Sequence, residues 1–325
     1  MNIHRPYTPD SGADLWGITP DSLEGFIPPY LPDEPDIRRD FSDYLGEVQA
    51  LDLMLGAMLE ALEEAGELDN TVVILSGDHG IPGIPRGKTN CYDLATRVPM
   101  IVRWPERIPA GRHLEDFVSV MDIGPTLLEL AGVEASVPFD GVSFLPQLES
   151  ASDGWVDPKR DSVVIGRELH VHTARPANLP YPSRAIRSKD FLYIRNLKPE
   201  RWPQGDPFDA AKTDDKEELY ELGLSTYPTY QDLDGSLTKA YLLGHRSSSE
   251  VGDSISKTLA KRPEEELYDM RKDPYQMNNL AGVGEFASTL KAMREEVEEI
   301  MKESDDPRLI DAFDGPPWIK SKVDP

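Results

Sequence analysis

The pattern of apolar and polar positions predicts one long amphipathic helix in the first third of the chain. Between positions 36 and 65, apolar side chains recur at steps of three and four residues, which places them in one stripe along a helix. Pro35 precedes this segment and Gly66 follows it, as is typical of the two ends of a helix. Residues 1–35 are rich in Pro, Asp and Gly and predict a loop.

Short apolar runs after this helix predict strands. Residues 71–76 are mostly apolar and β-branched, which predicts a short buried strand, and residues 99–104 predict a second one. A third apolar stretch, residues 117–121, leads into Asp122, which we expect to cap a helix over residues 123–131. A helix followed by a buried strand indicates a layered α/β sheet.

The character of the sequence changes near residue 150. A polar linker is followed by short segments with strand character, an irregular stretch and a final amphipathic helix. In order, these are strands over 162–167, 184–188 and 191–196, the irregular stretch 198–262, a strand over 266–270 and a helix over 285–303. The sequence therefore predicts two parts, residues 1–150 and a smaller part, residues 151–325, built on an antiparallel sheet with a terminal helix.

Composition narrows the class of protein. With 39% hydrophobic and 29% charged residues among 325, the chain has the composition of a folded globular protein. A net charge of −25 argues against nucleic acid as a partner, although a local cationic cluster can still bind an anion. No apolar run is long enough to span a membrane, and the first residues lack the apolar core of a signal peptide. The single cysteine, Cys91, excludes an intrachain disulfide.

Candidate chemistry lies at the end of the first predicted strand. Asp78 and His79 follow it directly, and Gly80 lets backbone approach closely. Ligands in open α/β sheets bind outside the carboxyl ends of the strands, and Asp and His are metal ligands. An ordinary polar junction between strand and loop explains the same residues equally well.

A series of motifs, in a fixed order along the chain, favours the metal site over the ordinary junction. They are Ser76-Gly77-Asp78-His79-Gly80, Gly87-Lys88-Thr89-Asn90, Arg97-Val98-Pro99, Met121-Asp122-Ile123-Gly124-Pro125-Thr126, Glu266-Leu267-Tyr268-Asp269 and Asn278-Asn279-Leu280-Ala281. Over essentially the whole chain, this series resembles the type I sulfatase family of the alkaline phosphatase-like superfamily. Shorter segments resemble its heparan N-sulfatase (sulfamidase) branch, namely Pro28-Pro29-Tyr30-Leu31-Pro32, Tyr181-Pro182-Ser183-Arg184 and Thr229-Tyr230-Gln231-Asp232-Leu233.

The resemblance implies a fold and a reaction. The fold is an α/β, alkaline phosphatase-like sandwich that is incomplete at its N-terminal side, with residues 1–150 as the C-terminal part of the catalytic domain and 151–325 as a smaller subdomain. The reaction is hydrolysis of a sulfuric ester or an N-sulfate on a sulfated saccharide. Full-length relatives of this kind are commonly periplasmic, secreted or lysosomal. The oligomeric state stays open.

The resemblance also assigns roles to four residues. Asp78 and His79 match the second pair of metal ligands, for a divalent cation that is most often Ca²⁺. The family more often has Asn at the position of His79, and Ca²⁺ prefers oxygen ligands. Lys88 matches the basic residue that grips the sulfate, and His4 matches the histidine that donates to the sulfate or the leaving group. A surface lysine is the alternative for Lys88, and without the resemblance His4, a lone histidine in a loop, would have no role.

Three residues of the second part are candidates for a sugar pocket. Glu168, His170 and Arg184 lie beside predicted strands, where polar clusters are more often simply solvated. We expect them to contact the saccharide if such a pocket is present.

The family's nucleophile is missing from the sequence. It is a formylglycine made from Cys in a Cys-x-Pro-Ser-Arg or Cys-x-Ala-x-Arg motif, and the residues after Cys91 do not fit either motif. Pro180 occupies the nucleophile's place in the run 180–184, and no early strand carries the first pair of metal carboxylates. We therefore expect the chain to be the C-terminal portion of a sulfatase and inactive alone. A non-catalytic relative that binds sulfated glycans and a phosphate-ester hydrolase are the alternatives.

Overall fold

The computed structural model describes residues 4–310 and residue 314 of the chain. The α-helices are α1 (Ser11–Trp16), α2 (Pro35–Glu64), α3 (Asp93–Thr96), α4 (Ile123–Leu130), α5 (Leu145–Glu149), α6 (Lys216–Gly223), α7 (Leu237–Gly244), α8 (Ser249–Thr258) and α9 (Ala287–Glu303). The strands are β1 (Val73–Ser76), β2 (Met100–Arg103), β3 (Ser162–Arg167), β4 (Ser183–Ser188), β5 (Phe191–Asn196) and β6 (Glu265–Asp269). Short 3₁₀ helices cover Pro20–Leu23, Val120–Asp122, Pro176–Asn178, Asp209–Ala211, Gly284–Phe286 and Pro307–Ile310.

The strands form two separate antiparallel sheets. β1 pairs with β2, with Val73 opposite Arg103 and Ser76 opposite Met100. The second sheet has the order β3-β4-β5-β6, so each strand pairs with its neighbour in sequence. The predicted antiparallel sheet of the second part is confirmed. The mixture of helices and sheets agrees with the predicted α/β class.

The prediction that β1 is a buried strand is wrong. All four of its residues are only half-buried. In the described part of the chain β1 has β2 as its sole strand neighbour, and Ile101 on β2 is 58% exposed. Apolar β-branched residues indicated a strand correctly, but burial depends on what covers it.

The long helix α2 is confirmed, with Pro35 in its first turn and Gly66 in the left-handed region just beyond its end. Its N-terminal half packs tightly on α1, because a Cβ built at Gly12 would lie 2.1 Å from the Ser42 carbonyl oxygen. Its C-terminal half is open: no residue from 47 to 80 is fully buried. The apolar stripe of α2 is thus covered over only part of its length.

The stretch from β1 to α3 joins the two parts of the chain. Ile81 and Ile84 share a core cluster with Ile37 of α2 and with Leu242 and Val251. Cys91 and Tyr92 pack in turn on one face of the four-stranded sheet. Helix α9 covers the other face. The division near residue 150 stays a prediction.

The prediction that Asp122 caps α4 is wrong, because its side chain makes no capping hydrogen bond to that helix. Asp122 instead closes the preceding 3₁₀ turn. Its carboxylate accepts from the Ser119 backbone N at 3.0 Å in a capping box and from Val142 N at 2.8 Å. It also pairs with Arg160 Nη1 at 3.0 Å. The third apolar stretch ends in a 3₁₀ turn, and α4 then runs to Leu130.

None of the helices in the described ranges combines the length and the apolar character that a membrane span requires.

Candidate functional site

A buried loop after β1 holds Lys88 in place. Every residue from 81 to 87 is buried. The Arg86 guanidinium donates to the carbonyl oxygens of Lys257, Tyr275 and Gln276, which ties the loop to the second half of the chain. At Gly87 a Cβ would lie 2.2 Å from the Ile81 carbonyl oxygen, so this turn requires glycine. The loop is therefore rigid where Lys88 leaves it.

Lys88 lies between a histidine and a carboxylate from distant parts of the chain. Its Nζ lies 2.7 Å from His4 Nε2, across 84 positions, and 3.3 Å from Asp234 Oδ2, across 146. The Lys88 and Asp234 side chains are 12% and 14% exposed, so water reaches the pair only in part. The predicted residues His4 and Lys88 thus meet in the fold.

The contacts of His4 fix the form of its ring. Because the Lys88 ammonium can only donate, His4 Nε2 accepts. Nδ1 lies 3.3 Å from the Arg5 carbonyl oxygen, which can only accept, so Nδ1 carries the proton. His4 Nε2 thus faces Lys88, and it can donate to another group only after Lys88 turns away.

Asp78 and His79 lie beside this cluster. The His79 ring lies 6.1 Å from the His4 ring, centre to centre. His79 Nδ1 lies 2.8 Å from the Gly80 carbonyl oxygen and donates to it, which leaves Nε2 with a free lone pair. That nitrogen is 3.7 Å from Asp78 Oδ2, and the Asp78 side chain is 89% exposed. This is the arrangement expected of a metal-binding histidine, whose second nitrogen donates to a backbone carbonyl.

Two ligands do not make a complete cation site. Ca²⁺ takes six to eight oxygens and Mg²⁺ takes six ligands, whereas Asp78 and His79 supply one carboxylate and one nitrogen. No group of three or more His, Cys, Asp or Glu side chains in the described part of the chain is placed to hold a metal. The residues described here therefore fit half of a metal shell and not a whole one.

A cavity of about 370 Å³ opens next to His79. Its walls are mainly aromatic and aliphatic, and they include Tyr30, Phe41, Tyr44, Leu94 and Tyr275. His79 thus stands between an apolar cavity and the polar cluster around Lys88.

A buried network of charged side chains, centred on Asp232, lies near Lys88. Asp232 accepts from Arg167 Nη2 at 2.8 Å and from Arg175 Nη2 at 2.7 Å. Burial opposes ionisation of this carboxyl, but the two guanidinium groups outweigh it and hold the pKa of Asp232 below its usual value. His170 lies near this network. Partial desolvation lowers the pKa of His170, and the Lys88 ammonium lowers it further.

Glu168 and Arg184 are held by other charges. Arg184 Nη2 lies 2.7 Å from Glu168 Oε1, and Arg184 Nε lies 2.5 Å from Asp306 Oδ2. Glu168 also pairs with Arg308 at 2.6 Å. These contacts form a structural network that joins β3, β4 and the segment after α9. Their role in sugar binding stays a prediction.

Cys91 lies in the core and is 4% exposed. Burial raises the pKa of its thiol to about 12, so the thiolate needed for attack is not formed at neutral pH. This agrees with the sequence, whose residues after Cys91 do not fit the nucleophile motif.

The sequence interpretation missed Asp234. Asp232 was noticed only as part of a family segment, and Asp234 was not noticed at all. The run Asp232-Leu233-Asp234-Gly235 carries a signal for a turn, since Asp and Gly are favoured in turns.

The fold and the cluster define a class, the alkaline phosphatase-like α/β proteins. Residues 7–133 match the family model described as Sulfatase. The chain belongs to the type I sulfatase family. As a family, sulfatases use a metal ion and a formylglycine.

Similar proteins agree with this assignment. An ulvan-active sulfatase from Formosa agariphila is 30% identical over 277 residues, which is 84% of this chain and 40% of that protein. The N-sulphoglucosamine sulphohydrolase of Homo sapiens is 28% identical over 297 residues, covering 88% of this chain and 52% of that protein. A solved structure in complex with its substrate, D-glucosamine-2-N,6-O-disulfate, has 26% identity and a TM-score of 0.53 and covers 83% of this chain and 42% of that chain. The chain thus spans about half the length of these relatives.

Proposed function

We propose that this chain carries the sulfate-binding half of a sulfatase active site, which acts on sulfuric esters or N-sulfates of a saccharide. The observation that supports this most is the contact between Lys88 and His4 beside His79, made by residues that are far apart in sequence. Relatives named for ulvan and for N-sulphoglucosamine, and a structure holding a disulfated glucosamine, support a sulfated saccharide as substrate.

The roles follow from the chemistry of sulfate transfer. Breaking an S–O or S–N bond moves negative charge onto the sulfuryl oxygens and the leaving group. The Lys88 ammonium binds a sulfuryl oxygen, and in doing so it leaves His4 Nε2. His4 Nε2, freed from Lys88, then passes a proton taken up from water to the leaving oxygen or nitrogen.

Asp78 and His79 are proposed as two ligands of a divalent cation, Ca²⁺ by analogy with the family. A bound cation of this kind stabilises charge on the sulfuryl group. The remaining ligands and the formylglycine nucleophile must come from polypeptide outside the residues described here. We therefore expect the purified chain to show no turnover of an aryl sulfate or of N-sulfoglucosamine, and measurable hydrolysis would overturn this.

Binding of N-sulfoglucosamine to the purified chain, measured by calorimetry, tests the proposed sulfate site. Lys88→Ala is expected to weaken it about tenfold or more, because a charge-assisted hydrogen bond to the sulfate is lost. Unsulfated glucosamine should bind equally weakly to both proteins. Lys189→Ala is the matched control, since Lys189 is 63% exposed and pairs with Glu115.

The alternative, a non-catalytic relative that binds sulfated glycans, is favoured by the half-complete metal shell. Its signature in the same experiment is glycan binding that persists in Lys88→Ala and in the presence of a chelator. That result would contradict the role proposed for Lys88.

A further inference from the structure

Lys239 is a fully buried lysine that no described carboxylate pairs with. It lies in the first turn of α7 and is 0% exposed. Its Nζ donates instead to the backbone carbonyl oxygens of one turn. They are those of Thr229 at 2.6 Å, Ser225 at 3.0 Å, Leu233 at 3.0 Å, Thr226 at 3.3 Å and Tyr230 at 3.5 Å.

The Lys239 ammonium therefore lies at the centre of the turn formed by residues 225–233. Burying a charge costs several kcal/mol unless its hydrogen bonds are satisfied. Burial lowers the pKa of Lys239 to about 7, and the nearby Asp234 carboxylate opposes this shift. Hydrogen bonds to carbonyl oxygens also favour the charged form of a lysine. An apolar side chain here would leave the carbonyl oxygens of Ser225, Thr226, Thr229 and Leu233 without this donor, whereas that of Tyr230 still accepts from Leu233 N at 2.8 Å. The residues 225–233 are therefore folded around Lys239.

Two carboxylates near Lys88 come from this turn and the residue that follows it, namely Asp232 and Asp234. Asp232 holds Arg167 and Arg175, and its carbonyl oxygen accepts from Thr89 Oγ1 at 3.0 Å. Asp234, directly after the turn, contacts Lys88. An interaction that stabilises the 225–233 turn therefore also positions Asp234, the carboxylate that holds Lys88 beside His4.

The base of α7 is itself attached to the site. Ser236 caps the helix by accepting from Lys239 N, and its Oγ donates to the Gly83 carbonyl oxygen at 2.7 Å. Thr238 is bound by Asp40 of α2. Lys239 thus starts from a rigid base and reaches into a turn that has no regular secondary structure.

We propose that Lys239 is a positioning residue for the sulfate-binding cluster, acting through the 225–233 turn and Asp234 on Lys88. The inference rests on the proposed function of Lys88 and deepens it. In this proposal the buried Lys239 ammonium holds the Lys88 ammonium in position, although Lys239 does not itself contact Lys88 or His4.

Residue-specific acylation of lysines with acetic anhydride at pH 6.0, followed by mass spectrometry, tests the proposal. In Lys239→Met the turn loosens, Asp234 no longer holds Lys88, and the acylation rate of Lys88 should rise about fivefold, as expected for loss of one partly exposed ion pair. Asp234→Asn should give the same rise. Lys189, 63% exposed, is the internal reference.

Arg262→Met is the matched control variant. Arg262 is also a buried cation that donates to backbone carbonyl oxygens, those of Lys257 and Thr258. Its hydrogen bonds in the described part of the chain involve neither the turn nor Lys88, so its loss should destabilise the protein without changing the acylation rate of Lys88. A general structural effect would raise the rate in both variants and would overturn the proposal.

A second variant covers the case in which Lys239→Met does not fold. Lys239→Ala with added propylammonium replaces the removed part of the side chain, and Lys88 should return to its wild-type rate. An unchanged rate in folded Lys239→Met, or in Asp234→Asn, overturns the inference. Inorganic sulfate should slow acylation of Lys88 in the wild type. Absence of that protection contradicts the proposed function and leaves the positioning result to be judged separately.

Discussion

Replacement of Asp40 by Asn tests the ion pair that lies beneath His4. Asp40 of α2 accepts from Arg5 Nη1 at 2.5 Å and from the backbone N and Oγ1 of Thr238 at 3.1 and 2.6 Å. Arg5 also donates from Nε to the Pro82 carbonyl oxygen at 2.9 Å. Because Arg5 directly follows His4, this pair fixes the backbone that carries the histidine.

The expected loss in the free energy of unfolding follows from which contacts of Asp40 the Asn side chain keeps and which it loses. Breaking one side of a buried ion pair costs about 3–5 kcal/mol, and the Arg5 and Asp40 side chains are 9% and 2% exposed. Asn retains an acceptor oxygen for Thr238, so we expect Asp40→Asn to lower the free energy of unfolding by about 2 kcal/mol. Asp40→Leu also removes the acceptor for Thr238 and should cost about 4–5 kcal/mol.

Urea unfolding followed by circular dichroism measures both losses, with the midpoint and the slope fitted separately. Glu295→Gln serves as the surface control. Its pair with Lys291 spans 3.7 Å with side chains 63% and 70% exposed, and it should contribute less than about 0.5 kcal/mol. If Asp40→Asn costs no more than this control, the reasoning about the buried pair is refuted.

Two buried tyrosines, one buried carboxyl and the incomplete cation site give four further predictions. Burial raises the pKa of Asp43 to about 6, so the native state binds a proton more tightly than the unfolded state, whose pKa is near 4. The free energy of unfolding should therefore fall as pH rises from about 4 to about 6, and Asp43→Asn should remove this slope in urea midpoints measured across that range. The Tyr181 hydroxyl has no hydrogen-bond partner among the described residues, so Tyr181→Phe should change the free energy of unfolding by less than about 0.5 kcal/mol. Tyr92→Phe removes a donor at 2.7 Å from the buried Glu266 carboxylate and should cost about 1–3 kcal/mol, and equal losses for the two tyrosines would contradict this assignment. Millimolar Ca²⁺ should leave the melting temperature of this chain unchanged, because two ligands hold the ion too weakly; a clear rise would show a more complete site.

Local periodicity predicted the elements whose pattern is long or whose partners are close in sequence. Helix α2 and the β3–β6 sheet are of this kind, and both are confirmed. The burial of β1 was wrong because it depends on coverage by other elements, which apolar composition alone does not reveal. The stretch before α4 became a 3₁₀ turn because Ser119 and Asp122 cap each other there.

The site was predictable only where a motif identified it. The meeting of His4 with Lys88 followed from the family resemblance, since nothing in the spacing of two residues 84 positions apart implies contact. The part played by Asp234 and Lys239 depends on a turn held by backbone carbonyl oxygens. Side-chain patterns carry no signal for such a turn, so the sequence interpretation did not find it.

The uneven coverage of α2 has a consequence for how the site responds to its surroundings. Lys88 extends from a loop in which residues 81–87 are all buried, whereas Asp78 and His79 belong to the stretch 47–80, in which none is. Amide hydrogen exchange should therefore be slow on one side of Gly80 and fast on the other, with the boundary running through the site. The side proposed to bind the sulfate is thus held in the core of the fold, whereas the side proposed to bind the cation is only partly covered. Under the proposed function, completing the cation site therefore also requires cover for this open face of α2.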